Sequence, residues 1–306
     1  MLYEAITISE RYRGALLGLA CGDAVGTAVE FRARGSFSPV TDMIGGGPFG
    51  LAPGHWTDDT SMALCLAESL LNKSGFDPAD QMARYLDWWK SGYLSSTGHC
   101  FDIGITVRQA LVKFQQTGNP FAGSTDPQTA GNGALMRLAP VALYYYPDVA
   151  KVLARCGDSS RTTHAAPEAV QCCALLGMAL AKALAGESKA SLLDLNDVAV
   201  SEPKVVNIAS GGFVGKRRDE IIGSGYAVAS LEAALWCFHH TDTFESAVLE
   251  AANLGDDADT TAAITGQLAG AHYGSKRIPQ RWLDRLHMRA EIEATAESLL
   301  SAATVR

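Results

Sequence analysis

Acidic residues stand next to one another at two places that are far apart along the chain. The first group lies in residues 54–60, Gly-His-Trp-Thr-Asp-Asp-Thr, and the second in residues 255–261, Gly-Asp-Asp-Ala-Asp-Thr-Thr. Each group comes directly before an apolar segment with helical spacing, beginning near Ser61 and at Ala262. One Asp or Thr at such a place caps a helix and contributes about 0.5–2 kcal/mol. Adjacent carboxylates repel each other, so capping alone does not explain them.

A hard divalent cation would relieve that repulsion. Mg²⁺ and Mn²⁺ bind about six oxygen ligands, drawn from carboxylates, hydroxyls and waters. The two acidic runs together supply at least five carboxylates as well as threonine hydroxyls. Because the N-terminal end of a helix is positive, acidic residues there must reverse the local field before a cation binds. The sequence therefore predicts a metal site where two helix N-termini meet.

A third motif lies in residues 129–137, Thr-Ala-Gly-Asn-Gly-Ala-Leu-Met-Arg. A Gly-Asn-Gly loop that enters a helix leaves backbone N–H groups unpaired, and these groups suit a phosphate. The alternative for this motif is an ordinary turn and helix start. A neighbouring acidic metal site would favour the interpretation as a phosphate-binding loop.

Other polar residues carry weaker signals. Four histidines show no metal-ligand spacing and are interpreted as structural or surface residues: His55, His99, His239 and His240. The basic run at 216–218, Lys-Arg-Arg, is typical of a solvated loop, and the alternative is contact with a pyrophosphate or a protein substrate.

Helices must position these groups. Apolar residues recur at three- and four-residue spacing in nine segments, which predicts helices at 11–29, 59–72, 78–91, 104–116, 133–145, 166–185, 226–238, 243–253 and 258–272. The segment from Ala166 is apolar almost all round, as expected of a central helix. On the first segment, glycines recur every four residues and predict tight helix crossings: Gly14, Gly18, Gly22 and Gly26.

The organisation of the chain favours a single compact all-α domain of orthogonally packed helices spanning residues 1–306. No repeat of 20–50 residues and no Pro/Ser-rich linker divides it. The longest irregular stretch, about 194–225, contains five glycines and is predicted to be a lid or binding loop.

Composition limits the classes of partner. The 306 residues are 47% hydrophobic and carry a net charge of −8, which argues against an extended nucleic-acid surface. Seven cysteines without a CxxC pair indicate reduced thiols. Asp23 interrupts the signal-like N-terminal apolar run, and the apolar stretch 169–181 is shorter than the roughly 20 residues of a membrane span. We therefore expect no membrane partner and a cytoplasmic location.

Seven motifs occur in an informative order: 22–31 (Gly-Asp-Ala-x-Gly-x-x-x-Glu-Phe), 57–60, 100–104 (Cys-Phe-Asp-Ile-Gly), 131–137, 163–167 (Thr-His-x-x-Pro), 225–226 (Gly-Tyr) and 257–260 (Asp-x-Asp-Thr). In this combination the chain resembles the ADP-ribosylglycohydrolase family. The motif at 100–104 resembles the bacterial branch that removes ADP-ribose from an arginine of dinitrogenase reductase. The resemblance extends from Arg13 to about Gly274.

The resemblance implies an all-α fold with two divalent cations, Mg²⁺ or Mn²⁺. It implies six metal ligands: Thr57, Asp58, Asp59, Asp257, Asp259 and Thr260. It also implies that ADP-ribose phosphates contact the loop Gly131, Asn132 and Gly133, and that His164 and Tyr226 line the ADP-ribose pocket. Ala134 stands where that branch often has Ser, which removes one hydroxyl donor.

The implied activity is hydrolysis of the N-glycosidic bond between ADP-ribose and a protein arginine, with ADP-ribose as product. Glu30 and Asp102 match carboxylates near the scissile ribose, and Asp102 is the first candidate for the catalytic carboxylate. A plain helix N-cap before Ile105 is the alternative for Asp102. Two other functions remain open: a hydrolase acting on a serine-linked, small-molecule or nucleobase conjugate, and a non-catalytic ADP-ribose-binding module.

Overall fold

The computed structural model describes residues 5–305. Within them lie fourteen α-helices and no sheet, so the all-α prediction is confirmed. The helices are α1 (Ile8–Gly26), α2 (Asp58–Asn72), α3 (Pro78–Ser91), α4 (Ile105–Thr117), α5 (Ala139–Tyr145), α6 (Val149–Arg161), α7 (Pro167–Leu184), α8 (Lys189–Leu193), α9 (Pro203–Ala209), α10 (Ala227–His240), α11 (Phe244–Ala252), α12 (Ala258–Tyr273), α13 (Gln280–Leu283) and α14 (Arg289–Thr304).

Helices α1 and α12 form the closest pair, because small residues line both sides of their contact. Each glycine of the four-residue series on α1 faces a backbone carbonyl of α12, and a Cβ on any of these glycines would lie 2.1 to 2.4 Å from the facing oxygen. Gly14 faces Gly270, Gly18 faces Gly266, Gly22 faces Ala262, and Gly26 faces Ala258. The helices are therefore antiparallel, and the end of α1 lies beside the acidic start of α12.

Helix α7 is the central helix that the sequence predicted. It packs against neighbours that include α5, α6, α10 and α12. Its 18 residues have a mean hydropathy of 1.2, and among the described residues it is the one helix long and apolar enough to cross a membrane. Because 61% of it is buried inside the protein, its apolarity is that of a core helix.

The helix predictions need correction at one boundary and at the helices that they missed. The segment predicted as helical from residue 133 forms turns up to Leu138, because the Gln267 side chain bonds the carbonyls of Leu135 and Met136 and the amide of Ala139. Five helices were not predicted: three short ones, α8, α9 and α13, and two longer ones, α6 and α14. Both bury narrow stripes of residues at three- and four-residue spacing, such as Ile292, Ala296 and Leu299 in α14, so the signal was present.

The long stretch 194–225 is less irregular than predicted, because it contains α9 and a 3₁₀ turn at Arg218–Glu220. The Arg34 guanidinium holds the last part of this stretch in place, because it donates hydrogen bonds to the carbonyls of Arg218, Ile221 and Leu254. Within the basic run at 216–218, Lys216 pairs with Glu232 and Arg218 with Glu250. These ion pairs favour the structural interpretation of the run.

Candidate active site

A cavity of about 830 Å³ opens where the N-terminal ends of α2 and α12 meet. Nine predicted site residues line this cavity: Glu30, Asp58, Asp102, Gly131, Asn132, Gly133, His164, Asp257 and Thr260. Three more, Thr57, Asp59 and Asp259, are buried next to the lining residues Asp58 and Thr260, with at most 1% of their surface exposed. The structure thus brings motifs from six segments of the chain to one place.

Asp23 on α1 organises the first acidic run, although sequence analysis did not select it as a site residue. Its Oδ1 accepts from the Thr57 amide and hydroxyl, both at 2.9 Å, and its Oδ2 accepts from the Thr60 amide at 3.1 Å and hydroxyl at 2.6 Å. The Thr57 side chain itself caps nothing. Asp23 therefore caps α2 from another helix. A lone Asp in an apolar helix is the signal that could have revealed it, since a buried carboxylate needs partners.

The two acidic runs interlock across about two hundred residues of sequence. The Thr260 hydroxyl donates to Asp59 Oδ1 at 3.1 Å, and Thr57 Oγ1 lies 3.2 Å from Asp259 Oδ2. The N-cap residues of the two helices, Thr57 of α2 and Asp257 of α12, make no capping bond with their own side chains. The capping interpretation of the adjacent acids is therefore wrong for both runs, and their carboxylates remain available to a ligand.

Two groups of carboxylates could each hold a metal ion, and Asp259 belongs to both. One oxygen each from Asp23, Asp59 and Asp259 lie within 4.8 Å of one another, and so do oxygens of Glu30, Asp102 and Asp259. Asp259 Oδ1 is buried without a hydrogen-bond partner among the described residues. An orphaned buried oxygen among carboxylates fits a hard divalent cation.

Burial and mutual repulsion raise the carboxyl pKa values throughout the cluster. Burial is the larger cause and repulsion from neighbouring acids the smaller one. Together they raise the pKa values of Asp59 and Asp259 well above the usual range and the pKa of Glu30 to about 12. Burial raises the pKa of Asp102 to about 7, while hydrogen bonding with Glu30 opposes that increase. The protein alone therefore disfavours full ionisation of this cluster, and a cation would offset the cost.

Asp102 occupies the cavity wall in a left-handed conformation, with φ of 59°. The N-cap of α4 is Gly104, and no side chain caps that helix. The interpretation of Asp102 as a helix cap is therefore wrong. A non-glycine residue at positive φ costs energy, and such residues concentrate at functional sites. Phe31, which follows Glu30, and Asp256 share this feature at the same cavity, with φ of 61° and 55°.

The Gly131–Gly133 loop is joined to the second acidic run. Asn132 Nδ2 donates to Asp257 Oδ2 at 2.6 Å, and the Asn132 amide donates to the Gly225 carbonyl at 3.0 Å. The amides of Gly133 and Ala134 donate to no acceptor among the described residues. These unpaired amides beside the cavity suit an anionic ligand.

His164 packs under this loop, and its ring leaves no room for a side chain at Gly131 or Gly133. A Cβ on Gly131 would lie 3.1 Å from His164 Nε2, and one on Gly133 would lie 2.8 Å from His164 Cε1. Burial and the charge of Arg137 lower the pKa of His164 to about 3, so the imidazole is neutral near pH 7.

Tyr226 lies beside the cavity but does not line it. Its hydroxyl donates to Glu168 and accepts a 3.1 Å hydrogen bond from Lys204, whose ammonium lies 4.9 Å from the centre of the tyrosine ring. The neighbouring residue Gly225 does line the cavity. The backbone at 225–227 pairs with the glycine loop, and Tyr226 thereby positions the loop's outer edge.

Comparison with known proteins places this arrangement in context. A family model described as ADP-ribosylglycohydrolase matches residues 4–306. The chain is 45% identical to ADP-ribosylarginine hydrolase Tri1 of Serratia proteamaculans, over 95% of this chain and 79% of the relative. It is 33% identical to ADP-ribosyl-[dinitrogen reductase] glycohydrolase of Rhodospirillum rubrum, over 97% of this chain and 98% of the relative. A solved structure titled ADP-ribosylglycohydrolase-related protein complex superposes with a TM-score of 0.86 at 45% identity, covering 97% of this chain and 99% of that one.

Proposed function

This chain belongs to the ADP-ribosylglycohydrolase family, and we propose that it hydrolyses the N-glycosidic bond between ADP-ribose and a protein arginine. The products are ADP-ribose and the unmodified arginine side chain. Two relatives at 45% identity, from Serratia proteamaculans and Pseudomonas putida, are named for ADP-ribosylarginine hydrolysis, which supports arginine as the linkage.

One observation carries the proposal: a single cavity contains both a carboxylate cluster and a glycine loop in which the Gly133 amide has no acceptor among the described residues. The carboxylates include Glu30 and Asp102, and the loop is Gly131–Gly133. ADP-ribose carries a pyrophosphate, which suits backbone donors, and a terminal ribose whose hydroxyls suit a carboxylate and metal site. The hydrogen bond from Asn132 to Asp257 holds the two parts in a fixed relation.

The residues present fit a divalent metal centre, and we propose that it holds two ions. Asp23 lies behind Thr57 and Thr60 and orients them, while the oxygens proposed as ligands belong to Thr57, Asp58, Asp59, Asp257, Asp259 and Thr260. These six side chains come from two helix N-termini and are more protein ligands than one Mg²⁺ ion usually takes, which supports a count of two. Mg²⁺ or Mn²⁺ bound there would polarise the ribose hydroxyls and stabilise charge that develops at the sugar.

Asp102 supplies the acid–base chemistry in this proposal, and Glu30 assists it. A water molecule attacks C1″ of the ribose and a carboxylate accepts its proton. The C1″–N bond breaks with its electron pair going to the arginine nitrogen, and the released neutral guanidine then takes up a proton, which the carboxylate can return. Asp102 is the proposed base, because it lines the cavity and caps no helix. Glu30, whose carboxylate groups with those of Asp102 and Asp259, orients the sugar.

The proposed substrate is an ADP-ribosylated protein in the cytoplasm. All seven cysteines are free thiols, which supports a reducing compartment.

Incubating the purified protein with ADP-ribosyl-arginine and ADP-ribosyl-serine peptides, each with Mg²⁺, Mn²⁺ or EDTA, tests the proposal. We expect chromatography to show release of ADP-ribose from the arginine peptide, and loss of that release in EDTA. Release from the serine peptide alone would move the activity to the other linkage. Binding of ADP-ribose without release from either peptide would identify a binding module instead.

A further inference from the structure

A buried positive charge lies behind the glycine loop without a carboxylate partner. Arg137 is fully buried, and its guanidinium carbon lies 4.7 Å from the centre of the Tyr85 ring. Among the described residues its guanidinium bonds a carbonyl, a hydroxyl and a thioether sulfur but no carboxylate, and its Nε has no hydrogen-bond partner. Burying an unpaired charge is costly, and removing it from water needs compensation elsewhere.

The other nitrogens of Arg137 point toward the loop and its support. Nη1 donates to the Gly133 carbonyl, and Nη2 donates to Thr163 Oγ1 at 2.7 Å. Thr163 Oγ1 in turn lies 2.9 Å from His164 Nδ1. One chain of contacts therefore runs from the buried cation to the imidazole under the loop.

The protons in this chain can be assigned by counting donors. Arg137 is the donor to Thr163 Oγ1, so the threonine hydroxyl retains its own proton for a further bond. His164 Nδ1 is the one remaining partner of that hydroxyl among the described residues. If Nδ1 carried a proton, the buried hydroxyl proton of Thr163 would have no acceptor. Nδ1 is therefore the acceptor, and the neutral imidazole carries its proton on Nε2.

That Nε2–H group faces the site. Nε2 makes no hydrogen bond within residues 5–305, His164 lines the cavity, and the same nitrogen lies against the loop at Gly131. The cavity otherwise carries many carboxylates, which repel a pyrophosphate. A fixed N–H donor backed by a buried cation would locally reverse that repulsion.

We propose that Arg137 is a positioning residue: through Thr163 it holds His164 in the Nε2–H tautomer, and this N–H donates to a phosphate oxygen of ADP-ribose. The proposal rests on the proposed function, because it takes ADP-ribose as the ligand. In this proposal, Arg137 and Thr163 raise the affinity for the ligand and take no part in bond cleavage. Neither of these two side chains lines the cavity, so both act through His164 and Gly133.

The first test reads the tautomer directly. Long-range ¹H–¹⁵N NMR of the metal-loaded, ligand-free protein distinguishes an Nε2–H imidazole from an Nδ1–H one, and His164→Gln assigns the signal by its loss. We expect the Nε2–H pattern in the wild type and a mixed pattern in Thr163→Val. An Nδ1–H pattern in the wild type would overturn the proposal.

The second test separates affinity from turnover with matched variants. Thr163→Val removes the hydroxyl, Thr163→Ser restores it, and Thr162→Val removes a neighbouring hydroxyl that is equally buried but bonds Ser159 instead. We expect Thr163→Val to weaken calorimetric ADP-ribose binding about tenfold, the usual effect of one charge-assisted hydrogen bond. The KM for ADP-ribosyl-arginine should rise similarly, while kcat stays within about threefold. Thr163→Ser and Thr162→Val should bind nearly as the wild type does.

Each outcome has one interpretation. Equal affinities in Thr163→Val and Thr162→Val would show that the hydroxyl acts through stability alone, and this would overturn the inference while leaving the proposed function intact. If Thr163→Val does not fold, the wild-type tautomer decides the question. If the wild type hydrolyses ADP-ribosyl-arginine but His164 carries its proton on Nδ1, this inference fails and the proposed function stands. If the wild type does not hydrolyse that substrate, the proposed function itself fails.

Discussion

The carboxylate of Asp23 accepts a 2.6 Å hydrogen bond from the Thr60 hydroxyl and holds the start of α2 from a different helix. The same carboxylate also accepts from two backbone amides and the Thr57 hydroxyl. A residue within an apolar helix thereby determines the position of the first acidic run.

Asp23→Asn should lower the free energy of unfolding by about 1–3 kcal/mol, since the amide turns an NH₂ group toward donors that then lack an acceptor. Urea denaturation measures this change. Asp77→Asn is the control, because Asp77 caps the first turn of α3 and Asn caps equally well. Equal and small effects of the two substitutions would contradict a capping role for Asp23.

Asp259→Asn should separate metal binding from folding. In EDTA the variant should be at least as stable as the wild type, because the substitution relieves repulsion among buried acids. Saturating Mg²⁺ or Mn²⁺ should stabilise the wild type by about 3–4 kcal/mol at 100–1,000 times Kd, and the variant by far less. Thermal denaturation with and without each ion measures both effects, with the exposed Asp219→Asn as control. A variant that is stabilised as much as the wild type would contradict the metal assignment.

Asp102→Asn should reduce turnover about 10²–10⁴-fold while leaving metal-induced stabilisation and ADP-ribose affinity near wild-type values. Asn tolerates the left-handed conformation at φ of 59°, so the backbone should be preserved. Single-turnover release of ADP-ribose and calorimetry measure the two properties. Asp256→Asn is the matched control at the same cavity, also at positive φ. Normal turnover in Asp102→Asn would move the chemistry to Glu30.

Gly26→Ala should destabilise the protein and damage the site together. Its Cβ would lie 2.4 Å from the Ala258 carbonyl oxygen and 2.5 Å from Asp259 Cα, so the helices must separate. We expect the free energy of unfolding to fall by about 2 kcal/mol or more, although Ala favours a helix by roughly 1 kcal/mol relative to Gly. Gly215→Ala, with no atom within 4 Å of the added carbon, should be nearly neutral. Denaturant midpoints and metal titrations of both variants would decide.

His164 should make the protein less stable as the pH falls. Burial lowers its pKa to about 3, whereas the unfolded chain binds a proton near pH 6.5. Below pH 6.5 the unfolded state therefore gains a proton that the folded state does not, and stability falls by up to about 1.4 kcal/mol per pH unit until pH 3. Site carboxylates with raised pKa values act in the opposite direction, so the informative quantity is the difference between the wild type and His164→Gln from pH 7 to 5. Parallel pH profiles for the two proteins would contradict the buried, neutral imidazole.

Local sequence patterns predicted most of the helices and the residue types of the site. Three- and four-residue apolar spacing located α2, α3 and α7 to within a residue or two, because that spacing is what buries one helical face. The adjacent acids of the two runs stood out because their repulsion needs a reason. The glycine series on the first helix predicted a tight crossing, and α12 provides the partner.

Tertiary structure alone decided which groups meet. Nothing local indicates that Asp259 lies among Asp23 and Asp59 on one side and Glu30 and Asp102 on the other, because those distances depend on antiparallel packing of α1 against α12. The sequence left open whether Asp102 caps a helix, and the structure excludes this because Gly104 occupies the N-cap position of α4. Arg137 resembled any arginine that ends a motif, and only its complete burial without a carboxylate partner distinguishes it. Residue types and spacing are written in the sequence, whereas burial and distance between remote segments arise only when the helices pack.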